Sequence, residues 1–328
     1  FNRYKKKSES GQVFTPDHIT SLMYKILEVN ANDKILDAAC GSGAFLVKSM
    51  SNMIKEVGGI NTKEAKKIKE HSLFGIEFDR EIFALACANM MIHKDGKTNL
   101  EQLDSRDKEA SEWIKSKGIT KVLMNPPFER KYGCKKIVEN VLNSVPSGIK
   151  CAFIMPEKKM EKDKMGKLLE KHHLEAIIKL PEKLFDAGVT TSIYVFETGK
   201  KQVGEIYGCY IEDDGLERVK NQGRQDIKDK WMELENYWVD SIRKRNDTKY
   251  GTSQWIDPKK FLSYQKPKAE FVLYEEDFVK TMMNYLMFKN KIDVKEFSDK
   301  LINKTLYNSE ILKEDNNIVI KIKDAEDE

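Results

Sequence analysis

Cysteine is scarce in this chain, with Cys40, Cys87, Cys134, Cys151 and Cys209 among 328 residues. The number is odd and no C-x-x-C pair occurs, which argues against a disulfide framework or a thiolate zinc site. The histidines (His18, His71, His93 and the adjacent His172-His173) lack metal-ligand spacing; no metal is expected, and they read as helix-surface or capping residues. No apolar run approaches the roughly 20 residues needed to span a bilayer, and no secretory leader is visible. A cytoplasmic protein without membrane contact is therefore expected. Internal repeats and low-complexity linkers are also missing. A large excess of one charge is absent too, the net charge being +4. Its distribution is uneven. Residues 1–200 hold 34 Lys and Arg against 27 Asp and Glu, whereas residues 201–328 hold 23 against 26. A basic first part suits a polyanionic partner.

What is present is alternation. Between about residues 34 and 197, short apolar runs at 34–38, 73–77, 120–124, 151–155, 176–180 and 192–196 alternate with amphipathic stretches at 43–56, 79–93, 135–143 and 157–172. This pattern predicts an α/β fold, a doubly wound, mostly parallel sheet with helices on both faces. Ahead of it, Ile19, Leu22, Met23, Ile26 and Leu27 follow helical spacing behind Thr15-Pro16-Asp17, a helix-start signal. Beyond about residue 210 the character changes. Trp231, Leu234, Trp238 and Ile242 fit one helix face, Phe278, Met282, Tyr285 and Leu286 another, and Ile318-Val319-Ile320 fits a strand. The expected division is a catalytic domain over 1–210 and a smaller, mainly helical segment over 211–328.

Asn125-Pro126-Pro127-Phe128 follows the strand candidate ending at Met124. Open α/β sheets bind ligands at the carboxyl ends of their strands. An amide acceptor, a stiffened turn and an aromatic face at such a place suit chemistry on the amino group of a flat heterocycle. Upstream, Asp37-Ala38-Ala39-Cys40-Gly41-Ser42-Gly43 joins the first strand to a helix, and Gly41 and Gly43 let backbone approach a ligand closely. A dinucleotide fingerprint G-x-G-x-x-G would need glycine at Leu46, so a nicotinamide site is disfavoured. Glu77, at a strand end, can accept both hydroxyl protons of a ribose. Asp79 reads as a helix cap. Asp104 reads either as an acceptor for an adenine amino group or as a turn aspartate.

In order, GQVFTP, DAACGSGAFL, GIEFD, NPPF and LPEKLFDAGVTTSIYVFE resemble the gamma-type DNA amino-methyltransferases, most of all the modification subunits of type I restriction–modification systems. The resemblance spans about residues 11–200. It implies a Rossmann-like methyltransferase fold, S-adenosyl-L-methionine as cofactor and N6-methyladenine in double-stranded DNA as product. It also implies roles: Thr15 and Pro16 at the donor's methionine end, Asp37, Gly41 and Gly43 along its centre, Glu77 at its ribose and Asp104 at its adenine. Asn125, Pro126, Pro127 and Phe128 would hold the target base, with Phe185 stacking on its other face; the other reading of Phe185 is a core aromatic. Ala38 stands where the family usually has proline.

These groups suit direct methyl transfer. Acceptors at the Asn125 side chain and the Pro126 carbonyl can bind the two hydrogens of an exocyclic amine and stabilise the positive charge growing there. A base in a duplex must first be rotated out, which costs a few kcal/mol. No cysteine follows a proline, which sets aside cytosine C5 chemistry. A protein-glutamine or RNA amino-methyltransferase, and a catalytically silent nucleic-acid-binding subunit, are the alternatives. Tyr4-Lys5-Lys6-Lys7 and the lysines of 157–171 read as solvated surface, and Asn221-Gln222-Gly223-Arg224 as a polar turn. Because residues 211–328 lack basic or aromatic clusters, sequence choice is expected from a separate specificity subunit docked partly through this tail, with a restriction subunit as a further partner.

Overall fold

A computed structural model describes residues 15–93, 99–128, 133–160, 166–182, 184–185, 189–219, 223–267, 274–293, 295–300, 309–314 and 317–322. Gly11 to Phe14, Tyr4 to Lys7, Asn221 and Gln222 lie outside them. The chain divides into two units, residues 1–265 and 266–328.

In the first unit the elements run α1 (Asp17–Ile26), β1 (Ile35–Asp37), α2 (Ala44–Glu56), α3 (Lys63–His71), β2 (Leu73–Ile76), α4 (Arg80–Ile92), β3 (Leu100–Glu101), α5 (Lys108–Lys117) and β4 (Lys121–Met124). They continue through α6 (Cys134–Ser144), β5 (Lys150–Pro156), α7 (Glu157–Met160), α8 (Gly166–Leu169), β6 (His173–Lys179), β7 (Thr191–Glu197), β8 (Ile206–Tyr210), β9 (Glu217–Val219), β10 (Gly223–Gln225), α9 (Trp231–Lys244) and β11 (Ser253–Ile256). Nine strands form one sheet in the order β11-β8-β6-β7-β5-β4-β1-β2-β3. Only β7 and β11 run against the rest. The doubly wound, mostly parallel architecture read from the sequence is the one observed.

The sheet is a sandwich filling because its strands are apolar on both faces. Leu123, Ala152 and Ile154 join a core with Leu22, Leu46, Met50, Met90 and Trp238, from α1, α2, α4 and α9. Their neighbours Val122, Met124, Cys151, Phe153 and Met155 join a second core with Ile114, Ile137, Val138 and Val141, from α5 and α6. Successive side chains of a strand point to opposite faces, so continuous apolar runs need cover on both. β1 pairs with β2 on one side and β4 on the other, both parallel. The winding reverses there, opening a crevice at the strands' carboxyl ends.

The division at 265/266 differs from the boundary expected near 210. Residue 210 ends β8, and β8 takes its outer partner from beyond it, with Ser253 to Ile256 paired antiparallel to Cys209 to Ile206. α9 is tied to α1 by an ion pair of Lys25 with Glu235 (2.5 Å) and by Arg243 donating to the Lys25 carbonyl. The change in charge after residue 200 marks no structural seam. Residues 211–265 hold the short strands β9, β10 and β11 beside α9. The second unit adds α10 (Glu275–Lys289) and the antiparallel pair β12 (Ser309–Glu314) and β13 (Asn317–Ile322). The single helix expected over 157–172 is represented by the short α7 and α8.

Candidate functional site

Successive strand ends deliver polar groups to one crevice. Asp37 closes β1, Glu77 follows β2, Asp104 follows β3 and Asn125 follows β4. These four, with Thr15, Gly41 and Pro127, line a cavity of about 180 Å³ that also takes in Phe78, Ser105 and Arg106. Gly43, Pro16, Pro126, Phe128 and Phe185 stand outside its lining.

The glycine loop is held by the carboxylate beside it. Gly41 N–H donates to Glu77 Oε2 (2.9 Å), and Asp79 N–H donates to Glu77 Oε1 (2.9 Å). A carboxylate offers about four acceptor sites, more than these donors fill, so Glu77 can still accept from a ligand. Its burial raises its pKa. Gly41 (φ 54°) and Gly43 (φ 83°) occupy the left-handed region. A Cβ on Gly41 would meet nothing within 4 Å, so backbone conformation, not crowding, demands glycine there. Gly43 caps α2, whose first turn carries no acidic side chain. That leaves a positive helix end by the cavity.

Asp37 is 1 % exposed and accepts from Ala39 N–H (3.2 Å). Burial, with Glu77 nearby adding to it, pushes its pKa up to about 8. Asp104 is the reverse case. Arg106 Nε donates to both its oxygens (2.8 and 3.1 Å), and this hydrogen-bonded guanidinium holds the carboxyl below its usual range. The pairing constrains the orientation of Asp104 but leaves it on the cavity wall. Asp79 caps α4, its Oδ1 accepting from Glu81 and Ile82 N–H, as expected.

On the other side of Asn125 the picture is tighter. Asn125 Nδ2 donates to Thr15 Oγ1 (2.9 Å), joining the NPPF turn to the start of α1. Phe128 and Phe185 do come together, but their centroids lie 5.4 Å apart at an interplanar angle of 84°. A base held between them needs two stacking gaps of about 3.5 Å each and parallel faces. The rings instead pack edge to face in the core, 7 % and 3 % exposed. With no base between them the two rings close on each other, because apolar rings bury more surface together than apart.

Sequence reasoning missed Phe78 and Arg106. Phe78 is 58 % exposed on the cavity rim, with the Arg106 guanidinium 6.0 Å from its ring centre. Its place directly after Glu77 was the available signal. Three histidines are not surface residues. His18 is buried with Nε2 3.1 Å from Asp214 Oδ2, and Arg224 pairs with the same carboxylate. His172 and His173 are also buried. No group of His, Cys, Asp and Glu among the described residues could hold a metal, and no helix among them is long and apolar enough to cross a membrane.

The chain is 30% identical over 305 residues to the type II restriction enzyme and methyltransferase RM.BcgI of Heyndrickxia coagulans, covering 85% of this chain and 46% of that one. It is 22% identical over 215 residues to the type I restriction enzyme EcoEI methylase subunit of Escherichia coli, covering 58% and 43%. It therefore spans about half the length of the curated relatives it matches. A modification subunit of a putative type I restriction enzyme from Vibrio vulnificus YJ016 shares its fold, with TM-score 0.59 and 20% identity over 76% of this chain and 56% of that one. The N-6 DNA Methylase model matches residues 1–155 and 142–256, which take in the glycine loop, Glu77, Asp104 and the NPPF turn alike, and the chain belongs to that family.

Proposed function

We propose that this chain is an S-adenosyl-L-methionine-dependent DNA methyltransferase that modifies the N6 amino group of an extruded adenine, as the modification subunit of a type I-like restriction–modification system. The observation that carries the reading is the meeting of Thr15, Asp37, Gly41, Glu77, Asp104 and Asn125 on one cavity at the sheet's switch point. The residues fit the donor. Glu77 offers free acceptor lone pairs to a ribose, Phe78 an exposed face to a purine, and the uncapped start of α2 a positive end to a carboxylate. Thr15 and Pro16 stand at the methionine end and Asp104 at the adenine end.

When bound, the donor supplies an electrophilic methyl carbon. The protein's own part is acceptance and alignment. Asn125 and the Pro126 carbonyl bind the amine hydrogens, and Thr15 fixes the amide by accepting from Nδ2. Pro126 restricts its own φ and biases Asn125 away from helix, so the carbonyl is aimed in advance. A base enters by parting Phe128 from Phe185. Their edge-to-face contact is worth about 0.5–1.5 kcal/mol. Stacking a base returns about 1–3 kcal/mol per aromatic contact. That return offsets part of the cost of parting the rings and extruding the base.

Sequence choice is assigned to a separate specificity subunit. No described residue of α10 is buried, and Phe278, Met282, Tyr285 and Phe288 are 59–80% exposed, an apolar surface suited to a protein partner. A restriction subunit completes the assembly. The test is incubation of the purified chain, alone and with a co-expressed specificity subunit, with labelled donor and duplex DNA. N6-methyladenine in the nucleoside digest is the expected product. Label confined to protein or RNA overturns the reading, and efficient sequence-specific methylation by the chain alone overturns the role of the partner.

A further inference from the structure

The loop from β6 to β7 carries Phe185, and its neck is closed by a residue outside it. Leu180 N–H donates to the Thr191 carbonyl (3.0 Å) across the two strands. Glu157, the first residue after β5, inserts beneath. Its N–H donates to the Thr190 carbonyl (3.2 Å), its Oε1 accepts from Ser192 Oγ (2.8 Å), and its Oε2 lies 3.3 Å from Lys179 Nζ. The two charged side chains are only 13% and 10% exposed, and Lys179 Nζ also sits 5.5 Å from the ring centre of Tyr210. One carboxylate thus ties the ends of β5, β6 and β7 where the loop departs and returns.

Stability alone is a poor account of this cluster. Desolvating an ion pair consumes much of its attraction, and well-packed apolar groups do as well or better. What a buried pair with fixed partners supplies is geometry. β5 is the parallel neighbour of β4, whose end continues into Asn125 to Phe128. Glu157 therefore stands between the turn that bears Phe128 and the loop that bears Phe185.

We propose that Glu157, with Lys179 and Ser192, is a positioning cluster that sets Phe185 opposite Phe128 and so governs capture of the extruded base. The inference rests on the proposed adenine methyltransferase reading. None of the three touches the reacting atoms; they act through Phe185.

The experiment uses the full chain with its specificity partner, an unmodified duplex for turnover and, for extrusion, the same duplex carrying 2-aminopurine at the adenine that the wild-type protein methylates. Glu157→Gln keeps an acceptor for Ser192 but removes the charge facing Lys179. It should weaken the fluorescence rise on extrusion and raise half-saturating DNA by about tenfold, with donor affinity by calorimetry held within about twofold. Lys179→Arg should retain function where Lys179→Met does not. Added to Phe185→Ala, Glu157→Gln should cause no further loss, since both act on one contact. Ser192→Ala, which removes one hydroxyl bond, carries the test should Glu157→Gln fail to fold. Unchanged fluorescence and turnover in the folded variants, or effects that add to Phe185→Ala, overturn the proposal. Absence of N6-methyladenine with the wild-type protein instead overturns the reading beneath it.

Discussion

The two sides of the site are made differently. The proposed donor side is built from backbone and strand ends: Gly41 bonded to Glu77, Asp37 pinned by Ala39, Asp104 clamped by Arg106, all facing an open cavity. The proposed target side is built from aromatic side chains carried on connecting segments, and there Phe128 and Phe185 fill each other's space. Groups fixed by a sheet are preorganised and need no rearrangement to receive a ligand. The two aromatics part by trading contact with each other for contact with the base. A donor site that stands ready beside a base site that must open suits an enzyme whose second substrate arrives by extrusion.

Separating the two sides by mutation is the sharpest way to break that comparison. Asn125→Ala should lower turnover by about 10²–10³-fold through loss of an acceptor for the developing charge. Donor affinity, measured by calorimetry, should barely change; a parallel collapse of both would mean the two sides are one. Phe185→Ala should raise half-saturating DNA by roughly 10–100-fold, the equivalent of about 1–3 kcal/mol of stacking, again without moving donor affinity.

On the donor side, the raised pKa of Asp37 predicts a pH effect. Its carboxyl stays protonated in the free fold up to about pH 8. A cationic donor favours the ionised form, so donor affinity should climb with pH towards that value, by at most about tenfold per unit, and then level off. Isothermal titration across pH 6–9 reads the slope, estimated from that linkage, and Asp37→Asn should flatten it. Stability has the opposite sense. Between the ordinary carboxylate pKa and about 8 the folded form holds a proton that the unfolded chain has lost, so stability should fall as pH rises through that window. The smallest effect is expected from Gly43→Ala, which forces a side chain into φ 83° and should cost roughly 1–2 kcal/mol in urea melts. An unchanged melt would show that the α2 entry is less fixed than the donor side requires.

Much of this was written locally. The apolar runs at 73–77, 151–155 and 192–196 became β2, β5 and β7 within a residue or two. The Thr15-Pro16-Asp17 start became α1, and Asp79 became the cap of α4. Each depends on residues within one turn or one strand of each other. The strands β8 and β11 were missed for the complementary reason. Ser253–Ile256 is too short and mixed to announce itself, and it is a strand only because β8 offers it an edge.

The same division runs through the site. The sequence alone placed Asp37, Glu77 and Asn125 at strand ends, since periodicity and turn chemistry are properties of neighbours along the chain. Only the tertiary structure decided that Arg106 clamps Asp104, that His18 and Arg224 share Asp214, that Glu157 underpins the Phe185 loop, and that the two phenylalanines close on each other. Those pairings depend on strand order and on which side chains burial leaves within hydrogen-bonding reach, and no local pattern carries that information.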